Sequence, residues 1–256
     1  MVNELILLCL AAFCAGFIDA IVGGGGLLQT PATLLILPHY PVATLLGTTK
    51  IPSLAGTTIA AFKYSRHVKF NLKVLTVCAV AAFCAAFSGA FLVSRIDNSV
   101  LKPVILVVLI LVAIYTYLNK QFGIHQEKNH SVKRQAIMAA LFGLVIGFYD
   151  GLIGPGTGSF LILVFIAVLG FDFLAASAHA KIVNIATNLA AIAYFSSTGH
   201  ILFQYAIPMA IFNVAGAFLG TKLALLKGNK FIRIFFLLVV LGTILRFAYD
   251  ILKHYL

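Results

Sequence analysis

Ten apolar segments fill most of the chain, and short polar gaps separate them. They cover residues 4–22, 27–37, 42–62, 74–94, 101–118, 136–153, 158–170, 173–197, 203–222 and 231–252. A helix that crosses a bilayer needs about 20 apolar residues, and most of these segments come near that length. Apolar segments of this length satisfy their backbone polar groups inside a bilayer by forming helices. We therefore predict an all-α polytopic membrane protein with about 8–10 transmembrane segments.

The composition excludes a soluble protein. Hydrophobic residues make up 62% of the 256 residues and charged residues only 10%, whereas a soluble domain has about 25% charged residues. The net charge of +11 does not indicate nucleic-acid binding, because Lys and Arg fall mostly in the polar gaps, where they set the orientation in the membrane. We expect a multi-pass protein of the plasma membrane, which is the inner membrane in a bacterium. No metal or other cofactor is predicted.

The two halves of the chain share an unusual order of residues. The stretch FIDAIVGGGG has a counterpart in FYDGLIGPGTG, and their aspartates, Asp19 and Asp150, stand 131 positions apart. The same spacing of 131 separates Lys50 from Lys181. A shared aspartate, glycine run and lysine in one order predicts an internal duplication. The predicted division is a first transmembrane repeat at 1–118, a central cytoplasmic loop at 119–135 and a second transmembrane repeat at 136–256.

The charges of the polar gaps predict how the halves are oriented. Gap 63–73 holds four Lys or Arg residues, but its counterpart, 198–203, holds none. The central loop and the gap 222–233 are also rich in Lys and Arg. Basic gaps face the cytoplasm, and placing all three there requires an odd number of crossings in each half. The halves are then inverted repeats, a design that secondary transporters combine with broken helices and a site near the midplane.

Glycine clusters interrupt the apolar sequence soon after each aspartate. The segments that follow are too short to span a bilayer, and non-helical backbone at this depth must be buried or line a cavity. Two restarted helices would offer N–H groups and positive dipole ends to a small anion, with Gln29 and Thr30 as further donors. The alternative is that the glycines only permit close helix packing. The candidate anion-binding residues are Gly24, Gly25, Gly26, Gly156, Thr157, Gly158 and Ser159.

Lys50 and Lys181 lie inside apolar segments, and an ionisable residue there indicates a functional site. One hypothesis is that both lysines bind the anion directly. Another is that they form ion pairs with Asp19 and Asp150, because a buried charge without a partner is costly. A third is that their ammonium groups extend to the membrane surface. The aspartates are candidates for ion pairing, for helix capping or for carrying a coupling proton.

Polar residues follow each lysine at helical spacing. Asn184 and Asn188 lie on the helix face of Lys181, and Ser53 and Thr57 hold similar positions after Lys50. Such residues either line a cavity or bridge helices. We include Asn184 and Asn188 among the candidate substrate-binding residues. His179 falls on another face, and the sequence assigns it no role.

The glycine runs, the stretch GPGTGSFLILVFIAVLGFDFLAASAHAKIVNIATNLAAI and the turn TGHI resemble the TauE/SafE family of sulfite and sulfonate exporters, also called the 4-toluene sulfonate uptake permease family. The likeness covers nearly the whole chain. It implies a membrane protein with two homologous halves that moves small sulfur-containing or organic anions. Two departures leave the substrate open: Pro155 and Thr157 interrupt the second glycine run, and the first polar stripe contains Ser and Thr instead of Asn.

The leading hypothesis is a secondary transporter, not an enzyme, that works by alternating access around a midplane site between the repeats. Its expected partners are a small anion such as sulfite or a sulfonate, the lipid bilayer and protons as the coupling ion. Nucleic acid is not an expected partner, and the sequence leaves open whether the protein forms a homo-oligomer. The alternatives are a passive anion channel, a subunit that needs an ATPase partner and an intramembrane enzyme. The sequence contains no GxSxG or HExxH motif to favour the enzyme.

Overall fold

The computed structural model describes residues 2–97, 99–101 and 132–255. Its helices are α1 (Val2–Val22), α2 (Gly26–Ile36), α3 (Val42–Ser65), α4 (Leu72–Val93), α5 (Val132–Leu152), α6 (Thr157–Ala167), α7 (Phe173–Ser197) and α8 (Phe203–Tyr255). The predicted all-α fold is confirmed. Apart from residue 101, the predicted segment 101–118 lies outside the described residues, as does most of the predicted central loop, 119–135. Residues 132–135 belong to α5 and not to that loop.

Helix lengths recur between the halves. The first three helices have 21, 11 and 24 residues, and α5, α6 and α7 have 21, 11 and 25. The two 11-residue helices begin at Gly26 and Thr157, each one residue before the start of the predicted segments 27–37 and 158–170. At 1.5 Å per residue each is roughly 16 Å long, about half the thickness of the hydrocarbon core. Common ancestry of the halves stays a prediction.

One end of the molecule, which we call end A, gathers the start of α1, the end of α2 and the starts of α3 and α8. Leu8, Leu37, Leu45 and Tyr205 from these four places form one apolar cluster. The helices α1 and α2 therefore make a hairpin that opens at end A and turns inside the protein. From end A, α1 and α8 run side by side in the same direction.

The opposite end, end B, gathers the end of α3, the start of α4, the end of α6 and the start of α7. Tyr64, Val74, Phe165 and Phe173 from these places share a second apolar cluster. The α5–α6 hairpin opens here, so the two hairpins enter from opposite ends, as an inverted arrangement requires. End B also carries Lys and Arg residues near the α3–α4 connection, which the positive-inside rule assigns to the cytoplasm.

Four described helices are long and apolar enough to cross a membrane: Val2–Val22, Leu72–Val93, Arg134–Leu152 and Phe203–Gly228. The helices α3 and α7 are as long, but each carries a buried lysine and a stripe of polar residues. They lie among the other helices, where α3 packs on α8 and α7 packs on α4. Polar groups that are costly in lipid are therefore covered by protein.

The predicted gap 222–233 contains a break, because two helices meet at a kink at Gly228 inside α8, but the gap is too wide, because the residues on both sides of Gly228 are helical. Lys222 and Lys227 extend the helix, and lysine is a good helix former. The only non-helical residue inside α8 is Gly228, with φ of 69°. Glycine tolerates this positive φ, so α8 changes direction without a loop.

Glycines on α5 bring its backbone against α4. Gly143, Gly147 and Gly151 lie against the backbones of Cys78, Ala82 and Ala86. The matched order shows that the two helices run in the same direction. Small residues at such contacts let membrane helices approach closely and gain van der Waals contact.

We expect Gly151→Ala to lower the free energy of unfolding by about 2 kcal/mol, the usual cost of overpacking. The added Cβ would lie 1.9 Å from the carbonyl oxygen of Ala86, so the helices must separate. Thermal denaturation of the purified protein in detergent measures the effect. Val145→Leu also adds one carbon, but Val145 is exposed on α5 and its variant should match the wild type. Equal stability of all three proteins would contradict the packing argument.

Candidate functional site

The first ion pair of the site joins α3 to the end of α5. Nζ of Lys50 lies 3.0 Å from Oδ2 of Asp150. It also donates a hydrogen bond of 2.7 Å to the main-chain oxygen of Asp150. Asp150 lies in the last turn of α5, where carbonyl groups lack helical partners and the dipole is negative. Lys50 therefore neutralises a carboxylate and caps a helix C-terminus at the same time.

The second ion pair mirrors the first across the molecule. Nζ of Lys181 on α7 lies 2.8 Å from Oδ2 of Asp19 near the end of α1. It also donates to the main-chain oxygen of Asp19. Thr57 of α3 donates a further hydrogen bond of 3.3 Å to the Asp19 carboxylate. Each lysine thus binds the aspartate of the other half of the chain, which matches the ion-pair hypothesis.

The two glycine breaks meet between these ion pairs. Gly23 has φ of 74° and lies against Gly158 so closely that a Cβ on Gly23 would be 2.3 Å from the carbonyl carbon of Gly158. Ser159 fastens this contact, because its N–H donates to the oxygen of Gly23 at 3.1 Å and its hydroxyl donates to the oxygen of Val22 at 3.0 Å. The end of α1 and the start of α6 therefore cross without side chains between them.

Several predicted anion donors already have partners within the protein. The hydroxyl of Thr157 donates to Gly154 at 2.7 Å, and both donors of Ser159 are used. At the start of α2, the N–H groups of Leu27 and Leu28 close turns onto Gly24 and Gly25. These groups stabilise the breaks, and anion binding by Thr157 and Ser159 stays a prediction.

A cavity lies beside the crossing. The cavity has a volume of about 40 Å³, and one buried water molecule needs about 10–15 Å³. Ten of the predicted site residues line it: Asp19, Gly25, Gly26, Lys50, Asp150, Gly156, Thr157, Gly158, Asn184 and Asn188. Gly24, Ser159 and Lys181 lie close by but do not line it.

The two lysines differ in their access to this cavity. Lys50 lines it, whereas Lys181 is 0% exposed and lies behind Asp19, whose side chain is 17% exposed. Of the charged residues in the described ranges, only Lys50, Asp19 and Asp150 line the cavity. With both ion pairs intact, the charges of the two lysines and the two aspartates sum to zero.

Amide and hydroxyl groups complete the lining. Asn188 donates to Oγ of Ser53 at 3.2 Å. Asn213 of α8 donates to Oε1 of Gln29 at 3.2 Å, and Gln29 reaches the main-chain oxygen of Thr49 at 3.5 Å. These bonds join α7 to α3 and α8 to α2 around the cavity.

Sequence reasoning missed Asn213, which is 3% exposed and lines the cavity. Gly56 lies against its side-chain oxygen, which would be only 1.9 Å from a Cβ on Gly56. Gly16 lies against its main-chain oxygen. The signal was present, because Asn213 is an amide in the middle of an apolar segment and such residues are costly in membranes. Only the fold brings it beside α1, α2 and α3.

His179, to which the sequence assigned no role, has a structural one. It is buried near end B, where its Nε2 accepts a hydrogen bond of 3.2 Å from the N–H of Asn71. Its Nδ1 lies 2.7 Å from the main-chain oxygen of Ala175 and donates to it. His179 thereby fastens the start of α7 to the α3–α4 connection.

Residues 2–97, 99–101 and 132–255 contain no group of three His, Cys, Asp or Glu side chains placed to hold a metal ion. No solved structure matches the chain. The family model described as sulfite exporter TauE/SafE matches residues 8–247.

Relatives match along nearly their whole length. The chain is 35% identical over 243 residues to "Probable membrane transporter protein ORF9" of a Sinorhizobium species, covering 95% of this chain and 92% of the relative. It is 33% identical over 253 residues to a "Probable membrane transporter protein" of Haemophilus influenzae, covering 97% and 96%. It is 32% identical to YfcA of Escherichia coli K12, which carries the same description, covering 98% and 92%. The resemblance predicted from the glycine runs is confirmed, and the chain belongs to the TauE/SafE family of membrane transporters.

Proposed function

We propose that the protein is a secondary transporter of a small sulfur-containing or organic anion, such as sulfite or a sulfonate, in the plasma membrane of a bacterium. The observation that carries the proposal is the cavity beside the crossing of the two glycine breaks, which Lys50 lines. Two ion pairs flank this cavity, and each joins a lysine of one half to an aspartate of the other. The family's description supports the substrate class.

The mechanism is alternating access. The α1–α2 hairpin opens at end A and the α5–α6 hairpin opens at end B, so a rocking motion of the halves exposes the cavity to one side at a time. Lys50 supplies the charge that meets the anion, and the anion replaces the Asp150 carboxylate as its partner. Asp150 released from Lys50 is then the group that takes up a coupling proton.

Transport by the purified protein in proteoliposomes tests this proposal. We expect saturable uptake of labelled sulfite, faster when unlabelled substrate is present inside the vesicles. A carrier exchanges substrate in this way, whereas a pore does not. A pH gradient across the vesicle membrane should change the uptake if protons are coupled. Flux that never saturates and shows no counterflow would favour the channel, and no flux of sulfite, thiosulfate, sulfoacetate or taurine would contradict the proposal.

We expect the double variant Lys50→Met/Asp150→Leu to fold but to bind the transported anion about 10–100-fold more weakly, as loss of a charged hydrogen bond predicts. Replacing both partners avoids leaving one buried charge alone. The shift of the melting temperature with anion concentration measures Kd. Lys63→Met removes a lysine near end B that does not line the cavity, and it should leave the shift unchanged. Unaltered anion binding in the double variant would exclude Lys50 from the site.

A further inference from the structure

Two hydrogen bonds join the halves of the chain at opposite ends of the molecule. At end B the N–H of Asn71, in the α3–α4 connection, donates to Nε2 of His179 on α7 at 3.2 Å. At end A the N–H of Leu202, in the α7–α8 connection, donates to Oγ1 of Thr48 on α3 at 3.0 Å. In both cases a side chain of one half holds a connection between two helices of the other half.

The two bonds occupy equivalent positions in the halves. Thr48 and His179 stand 131 positions apart, as do Asn71 and Leu202, and the same spacing relates the lysines of the two ion pairs. Thr48 and His179 are also each the seventh residue of their helix. We call the Asn71–His179 bond latch B and the Leu202–Thr48 bond latch A. Separation of the halves at either end breaks the latch at that end.

The acceptors of the two latches differ in their response to protons. The hydroxyl of Thr48 does not titrate near neutral pH, whereas a free imidazole takes up a proton with a pKa of about 6.5. Nδ1 of His179 already donates to the main-chain oxygen of Ala175, so the added proton goes to Nε2. The new N–H would point at the N–H of Asn71, and two donors form no hydrogen bond. Protonation of His179 therefore breaks latch B and leaves latch A intact.

The surroundings of His179 favour the neutral ring while latch B is closed. The residue is 1% exposed. Its ring packs against the rings of Phe70, Phe165 and Phe171, with centroids 5.0, 5.5 and 4.6 Å away. An imidazolium in this apolar setting would be buried without an acceptor for its second N–H, which is costly. The closed latch and the protonated ring therefore exclude each other.

A hollow at end B gives water a place beside the ring. Lys69, Asn71, Asp172 and His179 are among the residues that line it. The Asp172 carboxylate, which also accepts a hydrogen bond of 2.8 Å from the N–H of Ala175, favours the protonated ring, and the Lys69 ammonium opposes it. When the α3–α4 connection moves away from α7, water in the hollow can hydrate the imidazolium. The released form of latch B is therefore the form that binds the proton.

We infer that Nε2 of His179 is a proton-binding site that controls the opening of the molecule at end B. This inference rests on the proposed function, because parting of the halves at one end is a step of alternating access. The site is separate from proton coupling at Asp150, since His179 does not line the cavity. The open form binds one more proton than the closed form, so latch B gains stability as the pH rises and loses it as the pH falls.

Amide hydrogen exchange of the purified protein in detergent tests the inference, because each latch protects one backbone N–H. The protection factor, corrected for the intrinsic pH dependence of exchange, measures how rarely a latch opens. For Asn71 we expect this factor to fall by about 30-fold between pH 8 and pH 5, the ratio for a free imidazole with a pKa of about 6.5. For Leu202 we expect no change, because latch A does not titrate.

Two variants assign the effect to the latches. His179→Gln keeps an acceptor that does not titrate, so protection of Asn71 should become independent of pH. Thr48→Val keeps the shape of threonine but removes the acceptor. Leu202 should then lose protection at every pH, while Asn71 keeps its pH dependence. The comparison of Asn71 with Leu202 in the wild type decides the question even if His179→Gln fails to fold.

Equal protection of Asn71 at pH 8 and pH 5 would overturn the inference, as would a loss of protection that persists in His179→Gln. So would a matching loss at Leu202, because acid would then loosen the whole fold and not one latch. Hydrogen exchange requires no substrate, so these results leave the transporter proposal standing if the vesicles show saturable uptake. Absence of flux in the vesicles would overturn the proposed function, and with it the part that latch B plays in transport.

Discussion

Replacing Lys181 with methionine is expected to lower the free energy of unfolding by about 3–5 kcal/mol, the cost of breaking a buried ion pair. Lys181 is 0% exposed and is the ion-pair partner of Asp19. Without it, a carboxylate stays in the protein interior with only the weak hydrogen bond from Thr57. The double variant Lys181→Met/Asp19→Leu removes both charges and should recover most of the loss, because apolar residues of similar volume replace buried ion pairs without large cost.

Unfolding by heat or by SDS in mixed micelles measures these differences. Lys63→Met serves as the control for the loss of one positive charge, since Lys63 lies over the ring of Phe218 near end B and has no carboxylate partner among the described residues. A double variant as unstable as Lys181→Met alone would show that the lysine stabilises the fold by packing and by its bond to the Asp19 main chain. The ion pair itself would then contribute little.

Gly23→Ala is expected to lower the free energy of unfolding by about 2–5 kcal/mol and to abolish transport. Two costs add. A residue with a Cβ loses about 1–2 kcal/mol in the left-handed region, and φ of Gly23 is 74°. The Cβ would also lie 2.3 Å from the carbonyl carbon of Gly158, which adds about 1–3 kcal/mol of overpacking. The crossing of α1 and α6 must open, and with it the wall of the cavity.

Gly199→Ala separates the two costs. Gly199 has nearly the same φ, 73°, but a Cβ there would have no atom within 4 Å. It should show the strain alone, about 1–2 kcal/mol. The difference between the variants in thermal denaturation measures the close approach of the two chain breaks. Equal losses would mean that Gly23 is needed only for its backbone conformation.

Several helices were predictable because two features of the sequence agree. The length of each apolar run and the position of each glycine cluster gave α1, α2, α6 and α7 to within three residues at each end. The gap 222–233 was placed correctly but made too wide, and this has a physical reason. Lysine in a polar gap indicates a membrane boundary but does not end a helix, so the break between the two helices of α8 is confined to Gly228.

The sequence predicted most of the residues of the site, but it did not predict which of them bind each other. An aspartate, a glycine run and a lysine repeated in order identify residues that act together. They do not say which aspartate each lysine binds, because that depends on how the two halves face each other. The burial of Lys181 and the use of Ser159 for the crossing also depend on packing. Asn213 lies on α8, the helix that follows the one carrying Lys181. No rule of sequence spacing connects Asn213 to its hydrogen-bond partner Gln29.

Because each ion pair joins the two halves of the chain, the pairs can form only late during synthesis. Lys50 and its partner Asp150 are 100 residues apart, and Asp19 and Lys181 are 162 apart. At about 5–20 residues per second, the ribosome needs roughly 5–20 s to bridge the shorter distance and longer for the other. During that time the first half lies in the membrane with a lone ammonium and a lone carboxylate. Asp19 and Lys50 of the N-terminal half therefore lack their native partners until the C-terminal half has been synthesised.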